Sequence, residues 1–124
     1  MAPQKPDVDP IDGPAPTDLE ITDITVGDGP EAKAGHQIAV HYVGVAHSTG
    51  EEFDASYNRG QTLNFGLGAG QVIQGWDQGV QGMKVGGRRR IVIPPHLGYG
   101  DRGAGGVIKG GETLIFVVDL VAVR

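Results

Sequence analysis

The residues of this chain best suited to act on another molecule are aromatic and apolar, with two polar groups set among them. They are Tyr42, Phe53, Leu63, Phe65, Val72, Ile73, Trp76, Tyr99 and Phe116, and Asp54 follows Phe53 directly. Tyr99 stands between Gly98 and Gly100, in a loop where a buried ring has no structural duty. An apolar surface with a few placed polar groups is the usual make-up of a small-ligand pocket. Val72-Ile73-Gln74-Gly75-Trp76 holds the only Trp of the chain, after an apolar pair and at the start of a short helical pattern. An indole there can close the bottom of a pocket and leave the backbone N–H of Ile73 directed at a ligand. The same residues could equally form a plain core.

Other chemistries find less support. There is no Cys, which removes disulfides and thiolate nucleophiles. No Ser lies in a nucleophile elbow, and H-E-x-x-H does not occur. His36, His41, His47 and His96 lack metal-ligand spacing, and the first two would fall on opposite faces of a strand. Gly98-Tyr99-Gly100-Asp101-Arg102-Gly103 matches G-x-G-x-x-G by letter, but that pattern needs a strand before it and a helix after it. Here Pro94-Pro95 precedes it and Gly105 and Gly106 follow, which reads as a glycine-rich loop. Arg88-Arg89-Arg90 alternates across a strand and cannot form one patch; the expectation is two solvated arginines and one paired with a carboxylate.

At 124 residues the chain is long enough for one domain with a real core. The net charge of −5 comes from residues 1–34, and the remainder is close to neutral, which argues against nucleic acid as a partner. No apolar run approaches the ~18 residues of a membrane span. The first residues lack a basic-then-apolar leader, which points to the cytoplasm. Residues 1–17 carry five prolines and acids with few bulky apolar groups, the composition of a flexible tail; residues 18–124 form the domain. Leu19-Glu20-Ile21 alternates, and Ile24-Thr25-Val26 resumes out of phase, which suggests a bulge. Further strands are expected at Ile38–Val43, Glu52–Asp54, Leu63–Leu67, Arg88–Ile93 and Glu112–Val123, the last apolar on both faces and therefore central. One helix is expected, about Gln74–Gln81, with Trp76 and Val80 on one face. It is too short to be stable alone and must be held in the concave face of the sheet.

Several segments together resemble the FKBP-type peptidyl-prolyl isomerases: His41-Tyr42-Val43-Gly44, Gly50-Glu51-Glu52-Phe53-Asp54-Ala55-Ser56, Val72-Ile73-Gln74-Gly75-Trp76-Asp77, Gly87-Arg88-Arg89-Arg90, Ile93-Pro94-Pro95 and Leu97-Gly98-Tyr99-Gly100. The likeness runs in order over about residues 19–124. It implies an α+β fold, a curved antiparallel sheet of about five strands wrapped around one short helix. It also implies catalysis of cis–trans exchange at X–Pro bonds, assisting protein folding, without metal or cofactor. The partners implied are proline-containing peptides, unfolded proteins and macrolides such as rapamycin, acted on by a monomer.

The resemblance assigns roles. Trp76 would be the floor under a pyrrolidine ring, and Tyr42, Phe65, Val72 and Phe116 walls, with Leu63 on one side. The Ile73 N–H and the Tyr99 O–H would each donate to a substrate carbonyl, and Asp54, beside Phe53, would be a polar contact at the rim. Three positions depart from the family pattern and bear on ligand preference. Leu63 stands where many members carry Phe, Ala104 where the best-known carry His, and Lys109-Gly110 where Pro-Pro is frequent. The span from Tyr99 to Glu112 is too short for an inserted chaperone domain. A different class of function, a module that docks proline-containing partners without catalysis, would use the same pocket.

Overall fold

The computed structural model describes residues 4–8, 13–104 and 108–124. Of the stretch read as a tail, residues 1–3 and 9–12 lie outside the described set, as do Gly105 and Gly106 of the glycine loop.

Six strands form one antiparallel sheet: β1 (Glu20–Thr25), β2 (Gln37–Ala46), β3 (Glu52–Ala55), β4 (Leu63–Gly66), β5 (Arg88–Ile93) and β6 (Leu114–Val123). Their order is β1-β5-β6-β2-β3, and β4 also pairs with β2. The resemblance implies about five, while the alternating runs of the sequence already mark six. The sixth arises because β2 is ten residues long: its first part, Gln37–Val40, pairs with β4, and Val43–Val45 pair with β3. Two short strands thus share one edge position. The out-of-phase alternation near Asp23 is a real irregularity, a register shift between Asp23 and Thr25 against β5. His36 precedes β2 instead of sharing a strand with His41; its Nδ1 accepts from the Lys33 N–H at 3.0 Å, a turn contact that alternation could not anticipate.

β6 is central, paired with β5 and β2, which is why both its faces are apolar. Leu114, Phe116, Val118 and Leu120 point into the main core with Ile38, Val40 and Tyr42 of β2 and Ile91 and Ile93 of β5. Helix α1 (Gln74–Gly79) closes that core. It ends two residues earlier than its pattern suggests, yet Val80 still donates to Trp76 O at 3.0 Å, and both side chains are buried. The helix lies close on β5. A Cβ at Gly75 would stand 2.5 Å from Ile93 Cγ2, and one at Gly79 2.9 Å from Ile91 Cγ2. Glycines four apart therefore make the flat face that meets the sheet. This close packing holds a helix of six residues that could not persist alone.

The arginine run differs from expectation. Arg88 pairs with Asp119 and Arg89 with Asp23, each at 2.7 Å, so at least two are paired where one is expected. Arg89 is also buried and donates from Nη1 to the carbonyls of Gly79 and Gln81, both at 2.9 Å. The first is an orphan carbonyl at the end of α1 and the second lies in the turn after it, and a guanidinium suits the two because its donors are fixed in a fork.

Candidate active site

Trp76 projects from α1 into the core with 3% of its surface exposed. Three rings surround it: Tyr42 edge-on at 4.9 Å, Phe116 edge-on at 5.2 Å and Phe65 tilted at 5.8 Å. Above it opens a cavity of about 270 Å³. The lining around Trp76 comes from separate parts of the chain: Tyr42 of β2, Phe53 and Asp54 of β3, Leu63 of β4, Phe116 of β6, and the residues Gln71, Val72 and Ile73 that lead into α1. Tyr99 completes the rim from the loop after the 3-10 turn Pro95–Leu97. The letter match to a dinucleotide motif is thus preceded by a 3-10 turn, not by a strand.

Nine of the ten residues singled out from sequence lie on this cavity. Phe65 is the exception: its ring is buried behind Trp76 and supports the indole instead of facing the opening. Position along the strand explains it, since Leu63 and Phe65 share one face of β4. Phe65 pairs with Ile38 inside the core, whereas Leu63 sits one pleat along, opposite Val40 at the open end.

The polar wall is a closed triangle. The Tyr42 hydroxyl donates to Asp54 Oδ2 at 2.5 Å, Arg59 Nη1 donates to Asp54 Oδ1 at 2.7 Å, and Arg59 Nη2 donates to the Tyr42 oxygen at 2.8 Å. Burial alone would raise the Asp54 carboxyl, but the bonds from Tyr42 and Arg59 outweigh it and hold the group below its ordinary value. Asp54 is therefore a charged acceptor already engaged by two donors, a poor proton acceptor for substrate. The stability carried by a depressed carboxyl is present above the unfolded value of about 3.9 and is lost as pH falls through the lower folded value. Ligand affinity should accordingly stay level from pH ~8 to ~5 and fall only below ~4. A titration at constant ionic strength checks this, and a loss of affinity centred near neutral pH would contradict it.

Donors left without a partner among the described residues include the buried Trp76 Nε1–H and two groups nearer the opening. Among the described residues the Tyr99 hydroxyl has no hydrogen-bond partner, and Tyr99 is 40% exposed. Burial, and then the Asp54 charge, push its pKa up, so it remains a protonated donor at neutral pH. Ile73, the residue before α1, has φ −59° and ψ 150°. Its carbonyl accepts from Trp76 N and Asp77 N at 3.0 and 3.2 Å, while its own N–H donates to no carbonyl among the described residues. The approach to Ile73 is pinned from two sides: Asp77 accepts from the N–H groups of Gly68 and Gly70 at 2.9 and 3.0 Å, and Gln71 Oε1 accepts from Gly66 N at 2.7 Å.

Sequence reasoning missed Arg59, Gln71 and Gly44. Arg59 follows a 3-10 turn, Ser56–Asn58, where no periodicity operates; its only signal was a cation five residues past Asp54. Gly44 is needed because Phe53 and Phe116 meet edge-on over it, centroids 5.6 Å apart. A Cβ there would lie 2.6 Å from Phe116 Cε1 and 2.7 Å from Phe53 Cζ.

The family described as FKBP-type peptidyl-prolyl cis-trans isomerase matches residues 29–121. An FK506-binding protein of Streptomyces anulatus is 70% identical over 124 residues, covering 99% of this chain and all of that protein. A probable FK506-binding protein of Corynebacterium glutamicum is 51% identical, covering 96% of this chain and 98% of its own length. Among solved structures, AtFKBP13 superimposes with a TM-score of 0.79 at 44% identity, covering 89% of this chain and 96% of that one.

Proposed function

The chain belongs to the FKBP-type peptidyl-prolyl cis-trans isomerase family, and from that premise we propose that its cavity binds the prolyl ring of X–Pro peptides and accelerates rotation about the preceding peptide bond. The observation that carries this reading is an apolar cavity floored by Trp76 whose two free donors, Ile73 N–H and Tyr99 O–H, stand on its rim.

X–Pro rotation is slow because twisting the bond forfeits amide resonance, a barrier of ~18–20 kcal/mol. No bond to carbon or nitrogen breaks, so no nucleophile is required. A catalyst need only bind the twisted amide better than the planar one. The twisted amide is less polarised, and an aromatic cavity with little water favours it over the planar form. Ile73 N–H and Tyr99 O–H hold the flanking carbonyls, and the ring rests on the indole. Lowering the barrier by ~5 kcal/mol amounts to several thousand-fold in rate. Macrolides such as FK506, the ligand for which the Streptomyces anulatus and Corynebacterium glutamicum relatives are named, would fill the same cavity. Unfolded chains with exposed prolines are the substrates this chemistry fits, and the chain would act as a cytoplasmic monomer.

Exchange in a short X–Pro peptide tests the proposal. Micromolar protein should accelerate it, and a macrolide should abolish the acceleration while changing Trp76 fluorescence. Tight macrolide binding with no acceleration would mean a docking module instead. Tyr99→Ala is expected to weaken macrolide binding roughly ten-fold, as a lost hydrogen bond and lost ring contact would, with an unchanged unfolding midpoint. Unaltered affinity in that variant would remove Tyr99 from the binding set.

A further inference from the structure

The sheet has a second face, turned away from α1, and part of that face is buried too. Val45, Val92 and Ile115 form a separate apolar cluster there, each less than 5% exposed, and Val8 packs against it. Val8 belongs to the segment Gln4-Lys5-Pro6-Asp7-Val8, which precedes β1. That segment is fixed by polar contacts as well. Arg88 Nη2 donates to the Gln4 carbonyl at 2.7 Å. Lys5 Nζ lies 2.8 Å from Glu52 Oε1 and donates to Asn58 Oδ1 at 3.0 Å.

The positions of these anchors are informative. Glu52 opens β3, the strand that carries Phe53 and Asp54, and Asn58 closes the turn just before Arg59. Asn58 Nδ2 also donates to Glu52 Oε2 at 2.9 Å. Lys5 thus bridges both ends of the segment that supplies the polar wall of the cavity. Among the described strands β3 ends the sheet and pairs with β2 alone. An edge held on one side opens more readily than a central strand.

We propose that residues Gln4–Val8 are a strap docked in cis on the outer face of the sheet, and that the strap positions the Glu52–Arg59 wall of the cavity. Val8 supplies the apolar anchor and Lys5 the electrostatic one. The Lys5 ammonium holds the Glu52 carboxyl below its ordinary value, consistent with a formed pair. Because the pair is partly exposed, its own contribution is small; Val8, which removes apolar surface from water, carries more.

The test uses the whole chain, labelled with nitrogen-15. Backbone order parameters for Gln4, Lys5, Asp7 and Val8, Pro6 having no N–H, should match the sheet, near ~0.85, and drop below ~0.6 in Val8→Asp. In the same variant, amide exchange across Glu52–Asn58 should rise about two- to ten-fold, with β5 and β6 unchanged. Lys5→Glu, which faces Glu52 with a like charge, should act in the same direction, and Lys5→Glu with Glu52→Lys should restore slow exchange. Disorder of residues 4–8 in the unaltered chain, or exchange in Glu52–Asn58 insensitive to both variants, would overturn the strap. These readouts need no substrate, so they stand apart from the isomerase proposal.

Discussion

Trp76→Ala is expected to cost about 3–5 kcal/mol of folding stability, the usual range for truncating a buried Trp. The indole is 3% exposed and touches the rings of Tyr42, Phe65 and Phe116. Edge-on pairs add something beyond the area they bury, which places this site toward the upper part of that range. Domains of this size are stable by only ~5–15 kcal/mol, so one truncation removes a large share. The midpoint in urea should fall while the slope stays constant, because the same surface is exposed on unfolding. Isomerase activity should vanish even at temperatures where the variant is folded, since the floor of the cavity is gone. Trp76→Leu separates these effects: it retains part of the packing and most of the stability, but offers no flat surface to a ring. A loss of less than ~1 kcal/mol in Trp76→Ala would mean that the three rings close over the space without strain.

Trp76 also shows why the site was legible in sequence. A cavity of this kind is the unfilled end of a core, so its residues follow the core's own periodicity. Alternation along β2 and β6 put Tyr42 and Phe116 on the inner face, and helical spacing put Trp76 beneath them. The wall role that the resemblance gave Phe65 does not hold here: alternation rightly puts it on the inner face with Leu63, but it says nothing of how far along the strand the core ends. Glycine has no side chain for a pattern to register, which hid Gly44. Arg59 was missed because its contacts span a 3-10 turn, where neither period applies. The arginine run failed for a related reason: which carboxylate lies across from Arg88 depends on strand order, and β5 lies beside both β1 and β6. Asp23 and Asp119 are 96 residues apart in the chain and flank the same strand.

The polar side of the sheet reaches the cavity through Asp119, whose removal is the second large effect expected. Its carboxylate is 5% exposed and accepts from Arg88 Nε at 2.7 Å, from Arg88 Nη2 at 3.2 Å, and from the Tyr57 hydroxyl. The Tyr57 ring stacks on His41 at 4.5 Å. His41 Nδ1 lies 2.9 Å from Ser56 Oγ, and Ser56 Oγ accepts the Tyr42 backbone N–H at 2.7 Å. Asp119 therefore holds the ring that holds the turn that fixes the backbone of a cavity wall. Deleting one partner of a buried ion pair typically costs ~3–5 kcal/mol. Arg88 is about a quarter exposed and can recover some hydration, so Asp119→Ala should cost about 2–3 kcal/mol. Replacing both partners, Arg88→Met with Asp119→Leu, should cost less than Asp119→Ala alone, because no charge is then stranded. That inversion, read from urea midpoints in a double-mutant cycle, is the decisive result. If the double variant is instead the less stable of the two, Asp119 acts through packing and not through the charge it neutralises.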